Sequence, residues 1–129
     1  MLLLILAGGG ILLFSYPFSD ELKVDDELFG GFLSAITSFS DEVFSVGLDR
    51  AMFGQYTVLM KNIGEFSFCY VLKGQTYLAQ KKLANFIENF QKNTSMMQTL
   101  SKFNQTSQVI ELNDFPFLEG FIKGIFVNS

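Results

Sequence analysis

At 129 residues the chain has the length of one domain, and 49% of it is hydrophobic against 17% charged. That balance supports a packed core and excludes intrinsic disorder. A formal net charge of −4 and a pI near 4.6 exclude a phosphate-reading nucleic-acid binder, which needs a basic patch, and disfavour docking on anionic lipid.

The opening stretch, MLLLILAGGGILLFSYPF from Met1 to Phe18, has two readings. A secretory leader needs basic residues ahead of its apolar run, and no Lys or Arg precedes Lys23. The glycines at Gly8 to Gly10 also split the run into two pieces, each far short of the roughly 20 residues that span a bilayer. Two apolar runs around residues that tolerate positive φ fit a β-hairpin instead. Leu2 to Leu6 is apolar without alternation, which predicts a strand buried on both faces. The second strand, Ile11 to Tyr16, runs into Pro17, which donates nothing to a ladder, so it belongs at or near an edge.

Val24 to Ser45 is predicted to be a helix. Asp25 or Asp26 supplies its N-cap, and Leu28, Phe32, Ile36, Phe39 and Val43 recur at helical spacing, with Phe29, Leu33 and Ala35 widening the stripe. Gly30 and Gly31 are poor helix formers, and close packing of that turn against neighbouring backbone is their expected reason. Leu48 to Phe53 follows as a strand whose Asp49 and Arg50 suit a sheet edge. Gln55 to Lys61 is the next strand, Asn62 to Glu65 a turn around Gly64, and Phe66 to Leu72 a mostly apolar, central strand. Gln75 to Asn93 is the second long helix, with Thr76 as its cap and Ala79, Leu83, Phe86, Ile87 and Phe90 as its stripe. Lys81 and Lys82 fall on its solvated side. Helix is expected to continue over Thr94 to Phe103, and Val109 to Leu112 to be extended. Asp114 should cap a last helix with Pro116 in its first turn and Leu118, Phe121, Ile122 and Ile125 facing inward.

The expected order is β-β-α-β-β-β-α-α. It describes a single α+β domain spanning 1–129, with a five-stranded antiparallel sheet and helices on both faces. The first and fifth strands should lie in the middle, the second and third at the edges.

Signs of catalysis are few. There is no histidine and one cysteine, so neither a zinc site of the usual kind nor a Ser-His or Cys-His pair can form. Cys69, inside FSFCYVL, reads as a small buried apolar residue. Gly8 to Gly10 precede a strand rather than a helix, which argues against a phosphate loop. Asp25, Asp26 and Glu27 suit a helix start better than a cation. Asn93-Thr94-Ser95 and Asn104-Gln105-Thr106 match glycosylation acceptors, a match with consequences only in a secreted chain. No metal, cofactor or catalytic residue is therefore assigned.

Three segments carry a family resemblance: the hairpin LLLILAGGGILLFSYPF, the helix DDELFGGFLSAITSFSDEVF, and the strand-helix run FSFCYVLKGQTYLAQKKLANFIENF. Their order resembles the longin fold, within the wider group of roadblock and profilin-like domains, and is similar to stand-alone longin-like proteins of archaea. The resemblance implies a non-enzymatic adaptor that binds small Ras-like GTPases, or pairs with longin or roadblock-type subunits, in membrane-traffic-like regulation. It implies a cytoplasmic protein that meets membranes only through a partner, and a homodimer as the default self-association. By element, it places the contact surface at Ser38, Asp41, Glu42, Leu48, Asp49, Arg50 and Met52. The rival reading is a sensor that holds a small apolar ligand between sheet and helices.

Overall fold

The computed structural model describes residues 2–7, 11–18, 31, 35, 50–74, 76–106, 108–111 and 117–127. The chain divides into two units, Met1–Gly74 and Gln75–Ser129. Every described strand falls in the first unit.

The described part of the first unit is an antiparallel sheet. Its strands are β1 (Leu2–Leu6), β2 (Leu12–Pro17), β3 (Arg50–Phe53), β4 (Tyr56–Ile63) and β5 (Phe66–Lys73), in the order β2-β1-β5-β4-β3. The first and fifth strands are thus inside and the second and third at the edges, as the apolar runs require. In β1 every residue is at most 2% exposed, so both faces of the strand are buried. On one face Leu2, Leu4 and Leu6 pack with Cys69 and Val71 of β5 and Val58 and Met60 of β4. On the other, register places Leu3 beside Tyr70 and Ile5 between Phe14 and Phe68.

β1 and β2 pair as the expected hairpin, and Ala7 N–H donates to the Ile11 carbonyl at 2.8 Å where the loop closes. The register shifts between Ile5 and Leu6, so Leu13 is the extra residue of a bulge, and it is fully buried. The turn glycines Gly8 to Gly10 lie outside the described residues. At the strand's far end Phe18 stacks edge-on against Tyr16 at 5.0 Å and Tyr70 at 6.0 Å.

Two two-residue hairpins join the remaining strands. Gly54 (φ 63°) and Gly64 (φ 61°) each take the first central position, where a primed turn needs positive φ to match strand twist. The second turn is shorter than expected: β4 runs on through Asn62 to Ile63, leaving only Gly64 and Glu65 outside the ladder. The Asn62–Ser67 pair next to it is fastened by the Ser67 hydroxyl, which donates to Asn62 Oδ1 at 2.6 Å.

The helix expected over Val24 to Ser45 lies outside the described residues except at Gly31 and Ala35. Both are helical and exposed. A Cβ on Gly31 would meet nothing within 4 Å, so close packing is not the reason for that glycine. Ala35 likewise does not extend a buried stripe.

The second unit holds α1 (Tyr77–Lys92), α2 (Thr94–Gln105) and α3 (Phe117–Phe126). In α1 the buried residues are Ala79, Leu83, Phe86, Ile87 and Phe90, the stripe that the spacing marks. Phe86 is its centre: its ring lies 5.6 Å from Phe90, 5.3 Å from Phe121 and 5.4 Å from Phe126, so one aromatic cluster ties α1 to α3. Leu118, Ile122 and Ile125 complete the buried side of α3. Asp114 and Pro116, expected to start that helix, lie outside the described residues.

Two details depart from expectation. Thr76 precedes α1 in a helical conformation (φ −98°, ψ −13°), which keeps its hydroxyl from capping; its carbonyl still accepts from Gln80 N–H at 2.8 Å. Helix does not run on from α1 unbroken. Asn93 turns extended (φ −93°, ψ 98°), and its side-chain oxygen accepts the Met96 N–H at 3.1 Å, so α2 begins as a separate helix with its own cap. Val109 to Glu111 join no ladder, in keeping with an expected order of five strands, and Ile110 is buried; Leu112 lies outside the described residues.

Asn93→Ala should lower stability by about 1 kcal/mol in denaturant unfolding, with Asn93→Ser close to the parent, because only a short polar side chain reaches the Met96 N–H. Gly120 and Gly124 sit inside α3, exposed, with open space where a Cβ would be. Gly124→Ala should therefore raise stability by up to about 1 kcal/mol, read as a higher melting temperature.

Candidate interaction surface

The sequence assigns the contact residues to an expected helix and to the strand that follows it. Ser38, Asp41, Glu42, Leu48 and Asp49 lie outside the described residues. Arg50 and Met52 are described, and the structure brings them together. Both are in β3, two residues apart, so their side chains leave the same side of the strand. Arg50 is exposed and Met52 is 71% exposed.

The sheet explains that exposure. Among the described residues β3 pairs with β4 alone, Arg50 opposite Leu59 and Met52 opposite Thr57. Leu59 and Thr57 are buried, at 3% and 4%. The face they share with Arg50 and Met52 is therefore closed over β4 and opens at β3. Beyond β3 no described strand continues the ladder, so backbone donors and acceptors stand beside an apolar, flexible methionine and a cation. Such an edge can accept a strand by main-chain pairing, with Met52 and Arg50 contacting whatever lies alongside.

Charge on α1 is arranged differently from the solvated face expected for it. Lys81 is exposed, with its ammonium 4.6 Å from the centre of the Tyr77 ring. Lys82 is half-buried and donates to the Phe126 carbonyl at 3.0 Å, so it caps the C-terminal end of α3. A cation there suits the negative end of the helix dipole. The ion pairs Lys92–Glu88 (3.2 Å) and Lys123–Glu119 (3.6 Å) are exposed i,i+4 pairs, worth a few tenths of a kcal/mol each.

Periodicity did not single out Tyr77, Leu78 and Val127, which are 64%, 62% and 58% exposed. Leu78 is the informative case: it stands one residue before Ala79, off the buried stripe, and that offset is the signal for an exposed leucine.

Chemistry is sparse. Among the described residues no group of three His, Cys, Asp or Glu could hold a metal ion. Nor is any helix there long and apolar enough to cross a membrane. An apolar pocket in the second unit, lined by Phe90, Met96, Thr99, Ile110 and Leu118, has a volume of about 10 Å³. That is room for one water at most, not for an apolar ligand. No family model and no curated protein matches the sequence.

Cys69 is fully buried between Leu4 and Met60, and desolvation pushes its thiol from 9.0 up to about 12. Burial raises the Tyr70 phenol too. A neutral thiol in that setting is a packing group, not a nucleophile. Well below pH 9 it is protonated in both folded and unfolded chains and adds no pH dependence. Between pH 9 and 12 only the unfolded thiol ionises, so stability falls as pH rises. In urea titrations across that window the parent should lose stability more steeply than Cys69→Ala, while the two run parallel below pH 8.

Proposed function

We propose that this protein is a non-enzymatic adaptor of longin-like fold. It binds a small Ras-like GTPase, or pairs with a longin or roadblock-type subunit, in regulation resembling that of membrane traffic. It works in the cytoplasm and reaches membranes through its partner. The observation that carries this reading is the β3 edge, a short strand paired on one side only among the described residues, with Met52 and Arg50 standing out from it. Main-chain pairing along the edge supplies affinity, and these two side chains supply selectivity. The sheet also has β1 and β5 inside, the strand order expected from the apolar runs of the sequence.

Binding to purified Ras-like GTPases from the same genome, each loaded with GDP or a GTP analogue, tests the reading. The parent should bind at least one of them. Arg50→Glu combined with Met52→Glu should weaken that binding at least tenfold, about 1.4 kcal/mol, with folding unchanged by circular dichroism. If neither a GTPase nor a longin or roadblock-type protein binds the parent, the reading is wrong. If the double variant binds as the parent does, the surface is elsewhere.

A further inference from the structure

We draw no further inference here: the strongest candidate, the uncharged outer edge of β2 with Ile11 half-exposed at its start, is an unpaired strand edge, and nothing in the structure shows what covers it.

Discussion

The rest of the sheet depends on burying β1 on both of its faces. Leu2 to Leu6 offers no polar side chain, so water cannot be left on either side without exposing a row of leucines. The strand must also pair along both edges, because ten buried backbone groups need partners. β2 supplies one ladder and β5 the other. From β5 the order is forced outward, since tight turns at Gly64 and Gly54 can only lay β4 and then β3 alongside. β3 ends as an edge because nothing described follows it in the sheet.

The helical unit solves a different problem. Its apolar residues recur at three and four, and bulky rings fill the space between helices. Phe86 meets three other phenylalanines, which gives a physical use for part of the chain's sixteen. Lys82 then closes the end of α3 with a single cation. Removing that side chain would take away this bond and the packing of its aliphatic stem, so Lys82 is more a structural group than a surface charge.

Long, strongly patterned segments were legible from residues alone. The unalternating LLLIL and FSFCYVL marked two of the three inner strands, Pro17 and Arg50 marked the edges, and the stripe from Ala79 to Phe90 marked the buried side of α1. What escaped were choices settled by one side chain or by contacts distant in sequence. Asn93 stops a helix that its neighbours would continue, because its amide oxygen competes for the Met96 N–H. Lys82 looks like any surface lysine until α3 brings the Phe126 carbonyl to it, 44 residues away. Of the assigned contact surface, Arg50 and Met52 stand together on β3. That much was readable from Asp49 and Arg50 interrupting an apolar strand, whereas which side of β3 opens depends on the pairing with β4.

The central claim is that the apolar opening of the chain is an inner strand of the sheet. Amide hydrogen exchange followed residue by residue tests it most directly. If the account is right, the Leu3 to Leu6 amides exchange as slowly as those of Phe68 to Val71 and far more slowly than those of Ala51 and Met52 at the β3 edge. Rapid exchange at Leu3 to Leu6, with Phe68 to Val71 still protected, would contradict it, because a strand paired on both sides cannot open without the sheet.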